Sequence, residues 1–319
     1  MSWKSSRCLV TGGAGFIGSN IAETLSHKGS QVIVLDDLST GREENLKPLQ
    51  KLGVEFVQGS ILDDKLLKHV LVGIDYVFHQ AALPSVPRSI EEPFLFNKVN
   101  VEGTLKVLEA ARQADVKKLI FAASSSAYGE TPNQTAVEAM SPSPMSPYAV
   151  TKIACEQYCS VYNSIYNLPT TSLRYFNIYG PRQDPSSQYA SVIPNFITAA
   201  YCDKSPTIYG DGEQSRDFTF VADAVQANLK AALSAKADGQ VVNVATGHRT
   251  TVNELAQEII KQVGSDVKPL HVAPRVGEIM HSLADISRAQ KLMDYEPQYT
   301  LEKGLEETVE YFKNEYYTR

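Results

Sequence analysis

The chain has 319 residues, 43% of them apolar and 21% charged, a composition typical of folded globular proteins and unlike disordered, collagen-like or coiled-coil chains. At about twice the usual domain size of roughly 100–200 residues, it can bury a large core and predicts one compound domain or two lobes. Thirty Lys and Arg against 36 Asp and Glu give a net charge of −6 with no basic block, which argues against a nucleic-acid partner, because phosphate-backbone binding needs a cationic face.

In chain order, Met1 to Arg7 carries basic residues but runs straight into the short apolar stretch Cys8-Leu9-Val10, far less than a signal-peptide core. No stretch approaches the roughly 20 apolar residues of a membrane span, so a cytoplasmic location without a membrane partner is expected. Of the cysteines Cys8, Cys155, Cys159 and Cys202, only Cys155 and Cys159 are close, and they are not in Cys-x-x-Cys spacing. Neither zinc nor a disulfide is expected, and no histidine stands in a metal-ligand spacing.

Short β-branched runs predict strands over Cys8–Thr11, Gln31–Asp36, Val54–Gln58, Tyr76–Gln80, Leu119–Ala123 and Thr170–Arg174. Between them, Phe16, Ile17, Ile21 and Leu25 recur at helical spacing, as do Val101, Leu105, Leu108 and Ala111. Strands alternating with helices predict an α/β chain with a Rossmann-type, doubly wound parallel sheet. After Arg174 the rhythm loosens into Gly/Pro-rich loops at Tyr179 to Pro185 and Tyr209 to Gly212. Helical patterns resume at Ala222–Ala235, at Val252–Val263 and from Leu301, with an extended run Val241–Val244 between the first two. The expected organisation is a first domain over residues 1–178, to which 220–250 return, and a smaller C-terminal α/β substrate lobe over 179–319.

The first strand leads into Thr11-Gly12-Gly13-Ala14-Gly15-Phe16-Ile17-Gly18. Gly12 suits the tight turn, Gly15 lets backbone N–H groups approach a pyrophosphate, and Gly18 allows close packing of helix on strand. The helix N-terminus adds partial positive charge for the phosphates. Asp36 ends the next strand 18 residues after Gly18, where its carboxylate would accept from the adenosine ribose hydroxyls and repel a 2′-phosphate. NAD is therefore expected over NADP. Asp37 opens the turn Leu38-Ser39-Thr40-Gly41.

Further on, Ser146-Pro147-Tyr148-Ala149-Val150-Thr151-Lys152 reads as a capped helix start with Pro at its first position. Tyr148 and Lys152 are i and i+4 on one face, so the ammonium is expected to lie near the phenol and lower its pKa. Ser124, Ser125 and Ser126 fall at the C-terminal end of a predicted strand, where doubly wound sheets bind ligands.

With these motifs the chain resembles the extended short-chain dehydrogenase/reductase family and, within it, the NAD-dependent UDP-sugar 4-epimerases. The resemblance runs along essentially the whole chain. It includes Thr11 to Gly18, Asp36 to Gly41, His79-Gln80-Ala81-Ala82, Ser124 to Gly129, Tyr148 to Lys152, Arg174 to Arg182, Arg216-Asp217-Phe218 and Arg275 to Asp285. It implies a redox cycle in which Tyr148 takes the proton of the sugar 4-hydroxyl as C4 gives hydride to NAD. The 4-keto sugar turns over in the pocket and hydride returns to its other face. Ser124 would hydrogen-bond the 4-oxygen, and Lys152 would bind the nicotinamide ribose.

The same resemblance implies cofactor contacts from Gly12, Gly15, Phe16, Ile17, Gly18, Asp36, Asp37, Ser39, Thr40, Gly41, Ser60, Ile61, Gln80, Ala81, Ala82, Asn100 and Tyr175. Substrate contacts are implied for Ser85, Val86, Arg88, Ser125, Ser126, Asn177, Val192, Tyr209, Arg216, Arg275, Glu278 and Ser282. The arginine forks of Arg216 and Arg275 suit a diphosphate. Two positions depart from the family pattern, Glu278 for Asp and Ser60 for Asp. A homodimer through Phe94 to Ala111 and Ile153 to Ile165 is implied as well.

Dehydratases of this family carry Asp-Glu directly after the catalytic Ser/Thr, to serve as acid and base for elimination. Here Ser125 and Ser126 cannot do that. Ser282, where epimerases restricted to plain sugars tend to carry tyrosine, leaves room for a 2-acetamido group. The expected substrates are UDP-N-acetylglucosamine and UDP-N-acetylgalactosamine, with weaker action on UDP-glucose and UDP-galactose. Arg88 keeps open a UDP-uronic acid as substrate of an epimerase or decarboxylase. A NAD-binding sensor without turnover is the other class, which the intact Ser124, Tyr148 and Lys152 set disfavours.

Overall fold

The computed structural model describes residues 3–131, 135–185, 191–274 and 280–317. Its central sheet contains β1 (Arg7–Thr11), β2 (Gln31–Asp36), β3 (Glu55–Gln58), β4 (Tyr76–His79), β5 (Lys118–Ser124) and β6 (Thr170–Tyr175). A seventh strand, Gln240–Val244, completes it beside β6. The order from one edge is β3-β2-β1-β4-β5-β6 and then Gln240–Val244, and every pairing is parallel. The order reverses between β1 and β4, so the crevice beyond the C-terminal strand ends is the natural ligand position.

Both sheet faces are covered, as a parallel sheet requires. Neighbouring residues point to opposite faces: Val10, Val34, Phe78, Ile120 and Leu173 enter one core, while Leu9, Leu35, Val77, Leu119 and Phe121 enter the other. The helices Phe16–His27 and Val221–Leu233 pack on the first side, and Gly103–Gln113 and Pro147–Tyr166 on the second. The extended run expected at Val241–Val244 lies in this sheet, paired with β6.

Beyond this layer, the helices Val192–Tyr201, Val252–Val263 and Leu301–Phe312 pack on one another. Three two-stranded pairs support that side: Ser215–Arg216 with Thr250–Thr251, Thr207–Tyr209 with Leu270–Val272, and Ile178–Tyr179 with Thr219–Phe220. They are too short to leave a period in the sequence. The helical pattern expected from Val101 begins as a π-helical stretch, Asn97–Glu102, and becomes regular only from Gly103. Among the described residues no helix is long and apolar enough to cross a membrane.

Candidate functional site

The turn after β1 works only without side chains. Gly12 has φ +68°, and a Cβ there would sit 2.6 Å from the Ala81 nitrogen; one on Gly18 would sit 2.2 Å from the Gly12 oxygen. Helix Phe16–His27 therefore starts directly on the turn, with Gly15 at its N-cap and no side chain capping it. Its first N–H groups are left for a ligand, which is the arrangement a pyrophosphate uses.

At the end of β2, Asp36 is buried and accepts from the backbone N–H of Ala14 at 3.0 Å and of Leu38 at 2.8 Å. Burial pushes its pKa up, and these two N–H bonds oppose the shift. Gly41 is needed because a Cβ there would lie 2.6 Å from Asp36 Oδ1. Asp37 closes the turn by accepting from Ser39 N–H at 3.0 Å.

These groups open on a cavity of about 610 Å³ that runs across the C-terminal ends of β1, β2, β4 and β5. Of the expected cofactor residues, Gly12, Gly15, Phe16, Ile17, Gly18, Asp36, Asp37, Ser39, Thr40, Ile61, Gln80, Ala81, Ala82 and Tyr175 line it. Asn100 does not. Its amide donates to the Leu83 oxygen and to Thr151 Oγ1 and accepts from Leu83 N–H, so it braces the Ala81–Leu83 wall from behind. Ser60 is also off the wall and accepts from Leu62 N–H, and Gly41 lies behind Asp36.

Tyr148 and Lys152 share the cavity wall at the start of the Pro147–Tyr166 helix, whose N-cap Ser146 accepts from Ala149 N–H. Lys152 Nζ lies 5.8 Å from the Tyr148 ring centre but donates to the Ala122 carbonyl oxygen at 2.7 Å. The expected lowering of the phenol pKa is absent here: burial pushes it up, and the hydrogen bond with Ser124 only opposes this. Burial likewise pulls the Lys152 ammonium down to about 8. Two charged forms cannot both be cheap in so dry a place. Ser124 Oγ in turn accepts from Ser126 Oγ at 2.9 Å and from Ser126 N–H, while Ser125 continues the same short turn.

The expected substrate residues are more scattered. Ser85 and Arg88 line the cavity; Ser85 caps the helix Val86–Glu91, and Arg88 pairs with Glu92 at 2.7 Å. Val86, Asn177, Val192, Tyr209, Arg216 and Ser282 are not on its wall. Asn177 donates to the Asp217 oxygen, Arg216 to the Ser215 and Met280 oxygens, and Ser282 N–H to the Ser215 oxygen, so these three meet around one strand pair. Val192 starts the Val192–Tyr201 helix, and Tyr209 ends a short strand. Arg275 and Glu278 lie outside the described residues. Buried Asp217, accepting from Thr246 and Gly247 N–H, anchors this cluster.

Sequence reading missed Arg42, Asn45 and Ser191 on the cavity wall; it used the stretch Arg182 to Pro185 only as a resemblance to enzymes acting on acetylated UDP-sugars, and Arg182, Gln183 and Asp184 line the cavity as well. The position of Arg42 directly after Gly41 could have signalled that residue; Asn45 and Ser191 arrive through tertiary packing. Among the described residues no group of His, Cys, Asp and Glu could hold a metal ion.

Residues 8–245 match the NAD dependent epimerase/dehydratase family. The UDP-glucose 4-epimerase of Mycolicibacterium smegmatis is 40% identical over 311 residues, covering 97% of this chain and 99% of that protein. The structure of the UDP-N-acetylglucosamine 4-epimerase from Methanobrevibacter ruminantium M1, in complex with UDP-N-acetylmuramic acid, superposes with a TM-score of 0.93 at 42% identity, covering 98% of this chain and 99% of that one. The Thermus thermophilus UDP-glucose 4-epimerase in complex with NAD gives 0.88 at 36% identity, covering 97% and 99%. The chain belongs to the NAD dependent epimerase/dehydratase family and is an NAD-using enzyme of the epimerase type.

Proposed function

We propose that the enzyme interconverts UDP-N-acetylglucosamine and UDP-N-acetylgalactosamine by inverting C4 through a 4-keto sugar, with weaker action on UDP-glucose and UDP-galactose. The observation that carries this reading is the convergence of Tyr148, Lys152 and Ser124 at the end of β5, followed by Ser125 and Ser126. This strand end offers a proton shuttle without the acid and base that elimination needs.

The cavity suits NAD: its glycine turn leaves no room for a Cβ, its helix N-terminus is uncapped, and buried Asp36 stands at the ribose end. NAD bound there supplies the acceptor, and then the donor, of the C4 hydride. Tyr148 takes the 4-hydroxyl proton as C4 is oxidised and returns it as C4 is reduced. Ser124, already hydrogen-bonded to Tyr148, holds the 4-oxygen in line with the phenol. Lys152 supplies positive charge beside the phenol, and its bond to the Ala122 oxygen fixes its position.

Ser282, beside Ser215 and near Arg216, carries the choice of acetylated sugars in this reading, because a small side chain there leaves space at C2. A UDP-uronic acid is the second reading, favoured by Arg88 on the cavity wall. Glu92 already balances that guanidinium, which makes a carboxylated sugar the weaker candidate.

Two lobes and a homodimer complete the proposal. Supporting the dimer, Ile90, Phe94, Val150, Val161 and Ile165 expose apolar side chains, Phe94 at 90%, on the helices named for that interface and beside them.

Replacing Tyr148 by Phe tests the mechanism. NAD should stay bound while epimerisation falls by about 100-fold or more. Retained turnover would sink the assignment of Tyr148.

A further inference from the structure

We propose that the C-terminal segment Lys313–Tyr317 is part of the cofactor site: Tyr316, acting through Arg42, clasps the adenosine end of the cavity and slows the exchange of NAD. The proposal rests on NAD occupying this cavity.

Arg42 follows Gly41, the residue packed against Asp36, and its N–H donates to the Ala14 oxygen in the glycine turn at 3.0 Å. Its backbone is thus fixed to both parts of the adenosine-side wall, and the residue lines the cavity. The side chain reaches elsewhere. Nη1 donates to Tyr316 Oη at 2.7 Å, the guanidinium lies 5.8 Å from the centre of that ring, and Asp184 Oδ1 is 3.5 Å away. Asp184 also lines the cavity, on a turn tied to the Phe16–His27 helix by the Arg182–Glu23 ion pair at 2.7 Å. Arg42 therefore ties the turn after β2 both to the cavity-lining turn that carries Asp184 and to Tyr316.

Tyr316 is itself held. It packs on Phe312, and Tyr317 stacks on Tyr201 at 4.6 Å between ring centres. Tyr201 ends the helix that begins after cavity-lining Ser191. The Arg42 side chain is only 27% exposed, so its contacts are less screened than those of a surface pair. An epimerase that returns hydride to the same substrate molecule has no need to exchange its cofactor at each turnover. A clasp that slows exchange is compatible with full turnover.

The test uses the full chain loaded with NADH, chased with excess NAD and followed by fluorescence, in the wild type, Tyr316→Phe, Tyr316→Ala, Arg42→Ala and the Tyr316→Ala/Arg42→Ala double variant. Tyr316→Ala should release NADH about tenfold faster, and Tyr316→Phe, which keeps the ring over the guanidinium, less so. UDP affinity and the melting temperature of the cofactor-free protein should stay near wild type for both Tyr316 variants. The double variant should release NADH no faster than Arg42→Ala alone, because Tyr316 acts through Arg42. The proposal is overturned if Tyr316→Ala changes release by less than about twofold, if its effect persists undiminished without Arg42, or if it comes only with lost UDP affinity and melting temperature. Failure of every variant, wild type included, to bind NADH would instead sink the cofactor assignment.

Discussion

Lys152 donates from Nζ to the Ala122 carbonyl oxygen at 2.7 Å, which leaves its ammonium 5.8 Å from the centre of the Tyr148 ring. Burial of both groups pulls the lysine pKa down to about 8 and pushes the phenol up, so each opposes its own charged form. In the proposed mechanism the lysine ammonium supplies positive charge beside the phenol. Lys152→Met should lower kcat by about 100-fold or more, chiefly in kcat and not in KM for the UDP-sugar. Steady-state kinetics of NAD-saturated protein checks this.

Gly18 permits the closest approach in the cofactor turn, where a Cβ would lie 2.2 Å from the Gly12 oxygen. Gly18→Ala must displace the start of the helix, at a cost of about 1–3 kcal/mol. Lower melting temperature together with weaker NAD binding is expected, measured by thermal unfolding and cofactor titration.

His79 is buried between two threonine hydroxyls, with Nδ1 2.7 Å from Thr11 Oγ1 and Nε2 2.9 Å from Thr104 Oγ1. Burial holds its pKa down at about 3, against 6.5 for an ordinary histidine. Above pH 6.5 both folded and unfolded chains carry it neutral. As pH falls from 6.5 towards 3 only the unfolded chain gains that proton, so this contribution to stability is lost across that window. Chemical denaturation at several pH values should show His79→Gln losing less stability than the wild type between pH 6.5 and about 4.

Ser282 N–H donates to the Ser215 oxygen, which places residue 282 beside the Ser215–Arg216 strand. Ser282→Tyr should cut activity on acetylated UDP-sugars by at least about 10-fold and leave UDP-galactose turnover close to wild type. Equal survival of both activities in a substrate comparison would remove Ser282 from the specificity pocket.

The parallel sheet and the glycine turn were legible because they depend on local patterns. Gln31–Asp36 and Val252–Val263 have the bounds the sequence predicts, since β-branched alternation and helical spacing change sharply there. Asn100 was not legible as a brace: its three bonds to Leu83 and Thr151 exist only after distant segments pack. Arg42 meeting Tyr316, 274 residues on, has no local signature either. The protonation balance of Tyr148 and Lys152 was misjudged for a related reason. Helical spacing gives their proximity, but desolvation depends on what the rest of the fold lays over them.

The central claim is C4 inversion of an acetylated UDP-sugar without net oxidation. The most direct measurement is proton NMR of UDP-N-acetylgalactosamine incubated with the NAD-loaded protein, run beside UDP-galactose and UDP-galacturonic acid. The account predicts conversion to UDP-N-acetylglucosamine, faster than conversion of either comparison sugar and with no lasting NADH absorbance. Inversion of the uronic acid or the plain sugar alone, or loss of water or carbon dioxide from any of the three, would contradict it.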